Sequence, residues 1–274
     1  MIAALYIGKE GLDEDVRIKE LAASLEAGGC SCYSVFEGEG LREGTDFVLS
    51  VGGDGTFLSV AMLIGDRGIP VVGVNLGRLG FLSENRPEDV AQAILNEDYT
   101  IEDRSLLAVS LSASCGNPAI DNWPCALNEV AVHRSGAAML GVDVCLDGKW
   151  LPTYWADGLI VSTSSGSTAY SLSVGGPIVL PQSRVLILAP IAPHNLNVRP
   201  LVVPDTSEIR LKMHSRDDRA ILTIDNRRVE LPSETEISVS LARFSLRRVR
   251  FNNSDFINAL TEKLFWGEDV RNIR

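Results

Sequence analysis

The stretch Ser50-Val51-Gly52-Gly53-Asp54-Gly55-Thr56-Phe57-Leu58 decides the fold of the amino-terminal part of the chain. The apolar run just before it predicts a buried strand, and the apolar segment just after it predicts a helix. Glycines let the backbone approach a ligand closely and adopt positive φ. The start of the following helix offers unpaired amides and the positive end of a dipole. We therefore expect Gly52, Gly53, Gly55 and Thr56 to form a phosphate-binding loop.

An aspartate in the middle of this loop is unusual for phosphate binding alone, because its charge would repel the ligand. Asp54 is better explained if it handles a proton or a magnesium ion. The plainer alternative is an ordinary Asp-Gly turn. The chain contains neither GxxxxGK[ST] nor GxGxxG at this place, so the loop is neither a P-loop nor the dinucleotide fingerprint.

Strands and helices alternate on either side of this loop. The predicted strands are 2–7, 32–36, 47–51 and 69–74, and the predicted helices cover 12–25, 57–64 and 87–95. Pro87 suits the first turn of the last of these helices. Such alternation is typical of a parallel sheet in an open α/β domain. We assign this Rossmann-like domain to residues 1–104.

The pattern changes after residue 104. Short apolar runs punctuated by Asp, Asn, Gly, Pro and Ser predict strands at 106–113, 126–133, 140–146, 159–161, 184–189, 208–213, 220–224, 236–241 and 246–251. This spacing favours a β-sandwich domain over residues 105–251. In the segment 252–274, Ser254 is expected to cap a helix whose apolar face (Phe256, Leu260, Leu264 and Phe265) packs on the first domain. The basic run Arg243, Arg247, Arg248 and Arg250 is expected to lie on a solvent-exposed strand face.

Three further segments combine polar groups with small residues. A second glycine-rich turn, 75–82, follows the next strand, and the carboxyl ends of parallel strands meet at one sheet edge, where ligands bind. Asn128-Glu129 interrupts an apolar strand and suits the hydroxyls of a nucleoside, or else faces water at a strand end. The hydroxyl-rich run 162–173 can line a polar pocket in which Tyr170 stacks on a base, or forms a surface loop.

Composition narrows the classes of partner. The chain has 25 Lys and Arg against 36 Asp and Glu, a net charge of −11, which disfavours nucleic-acid binding. The amino terminus lacks a signal-peptide pattern, and no apolar run is long enough to span a bilayer, so a cytoplasmic protein without membrane contact is expected. Five scattered cysteines and three separated histidines match neither a disulfide framework nor a zinc site.

Taken together, these segments resemble the ATP- or polyphosphate-dependent NAD kinases from the first strand to about Phe251. The resemblance rests on Gly52–Thr56, on 75–81, on Asn128-Glu129, on Asp157-Gly158 and on Gly166-Ser167-Thr168-Ala169-Tyr170. The glycine loop alone is also similar to that of lipid kinases and phosphofructokinases. The family architecture is an α/β domain, a β-rich domain that binds NAD, and a terminal segment that returns to the first domain.

The resemblance also implies roles for individual residues. Asp54 would be the base that deprotonates the 2′-hydroxyl of the adenosine ribose of NAD, and the loop around it would hold the phosphates of ATP or polyphosphate with Mg²⁺. The residues that would bind NAD are Asn128, Glu129, Asp157, Ser165, Thr168, Ala169, Tyr170, Ser171, Leu172, Ser173 and Asn226. No metal ligand is assigned. A homodimer or homotetramer is implied. Trp155 and Ser171 depart from common family residues. A related kinase for a lipid or sugar, or a dinucleotide-sensing module without turnover, remains an alternative.

Overall fold

The computed structural model describes residues 1–77, 80–252 and 256–266. The chain divides into two compact units, the first comprising Met1–Asp103 with Leu246–Arg274 and the second comprising Arg104–Ser245. Arg78, Leu79 and the expected helix cap Ser254 lie outside the described residues. Within the described residues, no helix has both the length and the apolar character that a bilayer crossing requires.

The regular elements are numbered here in chain order. The strands are β1 (Ile2–Ile7), β2 (Ser31–Val35), β3 (Phe47–Val51), β4 (Val71–Val74), β5 (Tyr99–Leu111), β6 (Cys125–Ala126), β7 (Glu129–Arg134), β8 (Leu140–Leu146), β9 (Lys149–Trp150), β10 (Tyr154–Ala156), β11 (Gly158–Thr163), β12 (Val185–Ile191), β13 (Leu201–Pro204), β14 (Ile209–His214), β15 (Arg219–Ile224), β16 (Arg227–Pro232) and β17 (Glu236–Phe251). The helices are α1 (Val16–Ala27), α2 (Asp54–Ile64), α3 (Pro87–Leu95), α4 (Pro118–Asp121), α5 (Tyr170–Ser173) and α6 (Phe256–Leu264), with 3₁₀ turns at Leu12–Glu14 and Ser165–Thr168.

The first unit is built on a parallel sheet. Its strand order is β17–β4–β3–β1–β2, and every pair in that order is parallel. All five residues of β3 are buried, as expected for a strand covered on both faces. The order places the carboxyl ends of β1, β3 and β4 side by side. The prediction of an open α/β fold in this part of the chain is confirmed.

The helices of the first unit follow the predicted apolar spacing. α1 begins where the Asp15 carboxylate accepts a hydrogen bond from the Arg17 amide at 2.9 Å, and it buries Ile18, Leu21 and Leu25. α3 begins at Pro87, as predicted. α6 buries Ala259 and Leu260, whereas Leu264 and Phe265 are exposed, so the predicted apolar face is only partly right. The cause is that α6 ends at Leu264, so Phe265 is no longer on a helical face.

The expectation that the carboxyl-terminal basic run lies on a solvent-exposed strand face is wrong for Arg248. Its side chain is only 4% exposed, and its guanidinium lies 2.5 Å from the Glu84 carboxylate and 3.7 Å from that of Glu102. Arg250 lies 3.1 Å from Glu102 as well. A buried cation with two carboxylates beside it satisfies the rule that buried charges are paired. The sequence run alone did not show these acidic neighbours.

The second unit is a β-sandwich. One antiparallel sheet has the order β13–β12–β11–β7–β15–β16, and the other contains β10, β8, β14 and the first part of β17. Apolar side chains from both sheets, such as Val130, Leu159, Val142 and Leu211, form one buried cluster. The predicted sandwich is therefore confirmed, with its core between the two sheets.

Some strands differ from the predicted ones. The runs at 236–241 and 246–251 form one continuous strand, β17, because residues 242–245 contain neither Gly nor Pro to end it. The strands β9, β10, β13 and β16 are not among the predicted ones. At a sheet edge, β16 alternates buried or half-buried residues with the exposed Arg228, Glu230 and Pro232, and this composition resembles a loop when read from sequence alone.

Candidate functional site

The glycine loop lies between β3 and α2 in the first unit. Gly53 is the N-cap of α2, and Asp54 is its first residue. Gly52 has φ +152°, and a Cβ on it would lie 2.3 Å from the Thr56 Oγ1 atom. A Cβ on Gly8, just after β1, would lie 2.1 Å from the same atom. The Thr56 side chain therefore fills the space that two glycines leave at neighbouring strand ends.

Gly53 and Gly55 differ from Gly52. A Cβ on either residue would meet no atom of the described residues within 4 Å. The fold therefore does not require glycine at these two positions for space. Bare backbone beside a helix N-terminus is suited to an anionic ligand that approaches the amides closely.

The Asp54 carboxylate is bound by three consecutive backbone amides. Phe81 donates to Oδ2 at 2.9 Å, and Leu82 and Ser83 each donate to Oδ1 at 3.0 Å. A carboxylate offers about four acceptor positions. Among the described residues, one position on Oδ2 therefore has no donor, and it can take a proton, a hydroxyl or a cation.

The second glycine-rich turn is held in shape by two asparagines. Asn75 Oδ1 accepts from the Gly77 amide at 2.7 Å, and Asn75 Nδ2 donates to the Ser83 carbonyl at 3.1 Å. Asn85 Nδ2 donates to the Gly73 carbonyl at 2.9 Å. Through the Asp54 contacts, the structure brings this turn and the glycine loop together at the carboxyl edge of the sheet.

In the second unit, the segment 127–129 is held by Asp225, a half-buried aspartate. The Asp225 carboxylate accepts hydrogen bonds from the amides of Leu127, Asn128 and Glu129 at 2.9, 2.8 and 3.2 Å. Asp225 lies in the turn between β15 and β16 with φ +50°, a conformation that Asp tolerates better than most residues. Its burial raises the pKa of this carboxyl, although the three amides act in the opposite direction.

Asn128 and Glu129 are buried, with 8% and 9% exposure. Asn128 Oδ1 and Glu129 Oε2 have no hydrogen-bond partner among the described residues. Burial, followed by the charge of Asp225, raises the pKa of Glu129 to about 8. Two adjacent buried oxygens without hydrogen-bond partners form a site for a ligand that carries hydroxyl groups, which both donate and accept. The alternative of a water-facing strand end is excluded by this burial.

The hydroxyl-rich run is packed against the same segment. Thr163 Oγ1 donates to the Leu127 carbonyl at 2.6 Å, and the Gly166 amide donates to Thr163 Oγ1 at 3.1 Å. A Cβ on Gly166 would lie 2.1 Å from the Asn128 carbonyl oxygen. Several hydroxyls of the run therefore have structural roles, and glycine is required at 166 for close backbone contact.

Residues 165–173 turn away from β11 through a 3₁₀ turn and α5. The Tyr170 amide donates to the Glu129 carboxyl group, and the Tyr170 ring stacks on His133 with centroids 5.8 Å apart. Tyr170 and Ser173 are exposed, Ser171 is buried, and the half-buried positions are Ser165, Thr168, Ala169 and Leu172. The structure thus places this run beside Glu129.

The remaining predicted residues of this unit lie at strand ends. Asp157 precedes β11 and pairs with Arg134 at 2.8 Å. Asn226 is exposed and follows Asp225 in the turn. Arg134 and the structural role of Asp225 were not predicted. An aspartate between two strands signals a turn, but its contact with amides 96 to 98 residues away has no sequence signal.

Among residues 1–77, 80–252 and 256–266, no group of three or more His, Cys, Asp or Glu side chains is arranged to hold a metal ion. Mg²⁺ commonly binds through one or two carboxylates together with substrate phosphates and water. The open acceptor position of Asp54 fits a magnesium ion that is held mainly by the phosphates of a donor.

An open parallel sheet with a glycine loop, joined to a sandwich with unpartnered buried acceptors, defines a nucleotide-binding enzyme class. Two family models match the chain: the ATP-NAD kinase N-terminal domain over residues 35–98 and the ATP-NAD kinase C-terminal domain over residues 127–251. The NAD kinase of Porphyromonas gingivalis is 46% identical over 235 residues, covering 84% of this chain and 80% of that protein. The NAD kinase of Flavobacterium psychrophilum is 41% identical over 236 residues, covering 85% and 80%. The chain belongs to the NAD kinase family, as the sequence resemblance predicts.

Solved structures agree with this assignment. The chain matches an NAD kinase from Archaeoglobus fulgidus in complex with ATP with a TM-score of 0.77 and 30% identity, covering 96% of this chain and 98% of that one. Yeast NADH kinase complexed with NADH matches with a TM-score of 0.81 over 100% of this chain and 90% of that one. At 24% identity, the second likeness supports the fold alone.

The position of the Asp54 carboxylate can be tested with two glycine substitutions in one turn. A Cβ at Gly80 would lie 1.9 Å from Asp54 Oδ1, whereas one at Gly77 would be 3.9 Å from its nearest neighbour. We expect Gly80→Ala to displace the carboxylate and lower the Tm by about 3–6 °C, and Gly77→Ala to change it by less than about 1 °C. Thermal unfolding followed by circular dichroism measures both. Equal Tm values for the two variants would contradict this placement.

The raised pKa of Glu129 makes stability depend on pH. Between the ordinary carboxyl value of 4.5 and about 8, the unfolded chain has lost this proton while the folded chain retains it. Folded stability therefore falls as pH rises through this interval, by at most about 1.4 kcal/mol per pH unit from this group. We expect Glu129→Gln to gain stability over the wild type between pH 5 and 8, measured as Tm at each pH. The exposed Glu10→Gln is the control, and parallel curves for wild type and Glu129→Gln would refute the assignment.

Proposed function

We propose that this protein is an NAD kinase in activity as well as in family. It transfers the terminal phosphoryl group of ATP, or of polyphosphate, to the 2′-hydroxyl of the adenosine ribose of NAD to give NADP. The observation that carries the proposal is the pair of buried oxygens, Asn128 Oδ1 and Glu129 Oε2, which have no donor within the described part of the protein. Ribose hydroxyls supply such donors. The relatives named above are NAD kinases, which supports the same substrate.

The second unit binds the dinucleotide in this proposal. Asn128 and Glu129 form hydrogen bonds with hydroxyls of the adenosine portion, and the Glu129 carboxyl donates when it is protonated and accepts when it is ionised. The run Thr168–Ser173 frames the adenine, with the exposed Tyr170 ring as a stacking surface. Ser165 and Asn226 complete this part of the site. Asp157, held by Arg134, contacts the nicotinamide side.

Asp54 acts as the general base. Its open Oδ2 position accepts the proton of the 2′-hydroxyl while that oxygen forms a bond to the γ-phosphorus, and the bond to the leaving ADP breaks. Phosphoryl transfer depends mainly on positioning and charge neutralisation, and a general base adds about 10²–10⁴ in rate. The three amides on Asp54 fix the carboxylate for this step.

The glycine loop holds the donor. Amides at the start of α2 bind its phosphates, and the bare backbone of Gly53 and Gly55 permits their approach. The Archaeoglobus fulgidus structure, whose fold this chain shares, is a complex with ATP. When Mg²⁺ is bound, it neutralises phosphate charge, and Asp54 is the carboxylate placed to contribute one ligand.

The first test removes the proposed base. Purified Asp54→Asn protein with NAD, Mg²⁺ and ATP should form NADP at least about 10²-fold more slowly than wild type, because an amide accepts no proton. An NADP-specific dehydrogenase reports the product. NAD affinity should stay within about threefold, since the hydroxyl-binding groups are unchanged. Asp46→Asn is the matched control, because the Asp46 carboxylate also accepts a backbone amide, that of Ile2 at 2.7 Å.

The outcomes of this test separate the rival functions. Wild-type rates in Asp54→Asn would refute the base role. A wild-type protein that binds NAD but forms no NADP with either ATP or polyphosphate would be a sensing module. A protein that phosphorylates a lipid or sugar and does not bind NAD would belong to the related kinases.

The second test adds one methyl group to the donor loop. The added methyl group of Gly53→Ala would lie more than 4 Å from every atom in the part of the chain that the structure describes, so the Tm should not change. Close phosphate approach would be blocked, and we expect the KM for ATP to rise by about tenfold while the KM for NAD stays constant. Gly40→Ala, which is equally unhindered, is the control. An unchanged KM for ATP in Gly53→Ala would show that phosphates do not contact this residue.

A further inference from the structure

The carboxyl-terminal helix places a lysine at the turn that binds Asp54. Lys263 lies in the last turn of α6 and donates a hydrogen bond to the Gly80 carbonyl. Its ammonium lies 4.2 Å from the centroid of the Phe81 ring. Phe81 is also the residue whose amide binds Asp54 Oδ2. All of these groups belong to the first compact unit.

Lys263 is half-buried and has both acidic and basic side chains near it. Burial is the largest effect and lowers the pKa of the ammonium, while the charges of Asp54 and Glu84 raise it and that of Arg248 lowers it. The charge of Asp54 is therefore felt at this lysine. Holding a cation in a half-buried position is costly unless anionic or polar groups satisfy it.

The glycine loop itself contains no cation. Residues 50–58 include one acidic residue and neither Lys nor Arg. Polyphosphate donors carry several negative charges, and backbone amides next to Asp54 do not neutralise them. Lysine is a common phosphate-binding residue that acts as a point charge with three donors. The Gly80 carbonyl accepts from one of these donors.

We propose that Lys263 binds the phosphates of the donor at the glycine loop and supplies the positive charge that this loop lacks. The inference rests on the proposed function, because it assigns a residue to the donor of that reaction. Lys263 contacts the turn that binds Asp54, and it comes from a helix that follows the glycine loop by about two hundred residues, so the sequence motif does not include it. A purely structural role, in which the lysine only ties α6 to the Gly80 carbonyl, is the competing explanation.

The test compares three lysine variants. Lys263→Met keeps most of the side-chain length and removes the charge, Lys263→Arg keeps the charge, and Lys19→Met is the control for loss of one exposed lysine on α1. Three quantities are measured: KM and kcat for ATP and for NAD, the Kd of inorganic tripolyphosphate by calorimetry without NAD, and the Tm. We expect Lys263→Met to raise the KM for ATP and the Kd of tripolyphosphate by at least about tenfold.

The other two variants separate loss of charge at position 263 from loss of any lysine. The KM of Lys263→Arg for ATP should stay within about threefold of the wild-type value, and that of Lys19→Met should equal it. The KM for NAD should not change in any variant, because the residues proposed to bind NAD belong to the second unit. This split between the two substrates is what a merely structural lysine would not produce.

Two results would overturn the proposal. In the first, Lys263→Met binds tripolyphosphate and ATP as well as wild type does. In the second, Lys263→Met changes the KM for ATP, the KM for NAD and the Tm together, and Lys263→Arg restores none of these values. That result would indicate a structural role. Failure of the proposed function is distinguishable: a wild-type protein that binds tripolyphosphate through Lys263 but makes no NADP would retain the phosphate site without the kinase reaction. Wild-type protein that binds neither ATP nor tripolyphosphate would contradict both.

Discussion

The hydrogen bonds from three consecutive amides to the Asp54 carboxylate are the constraint on which the first unit depends. They join the loop after β3 to the turn that follows β4, across 27 to 29 residues of sequence. Because the Asp54 carboxylate is held against this turn, residue 80 has no room for a Cβ atom and must be glycine. A carboxylate fixed in this way keeps one acceptor position in a defined direction, which is the geometry that a positioned general base needs.

The second unit uses the same device for a different purpose. Asp225 binds the amides of 127–129 and so holds Asn128 and Glu129 with their side-chain oxygens unpartnered. In each unit a carboxylate fixes a backbone segment before any ligand arrives. The conformational entropy of these segments is then lost during folding and not during binding. This favours affinity for a flexible dinucleotide. The unpartnered acceptors are the part of this arrangement that is unfavourable in the free protein.

Much of the fold could be predicted from local patterns. The strand–glycine–helix order around Asp54, the Pro87 helix start and the alternating strands of the sandwich are short-range signals, and the structure contains all of them. Interactions between distant residues could not be predicted. Arg248 was expected in solvent because Glu84 and Glu102 are remote in sequence, and Lys263 contacts Gly80 across 183 residues. Asn128 and Glu129 could be selected as polar residues in an apolar strand, but the aspartate that fixes them could not.

The central claim is that this chain transfers a phosphoryl group to one hydroxyl of NAD. The most direct measurement is phosphorus NMR of the purified product after incubation of the protein with NAD, ATP and Mg²⁺. We predict a single new phosphomonoester, coupled to the 2′ hydrogen of the adenosine ribose, in step with release of ADP. A phosphomonoester at any other position, or ADP with inorganic phosphate and unchanged NAD, would contradict it.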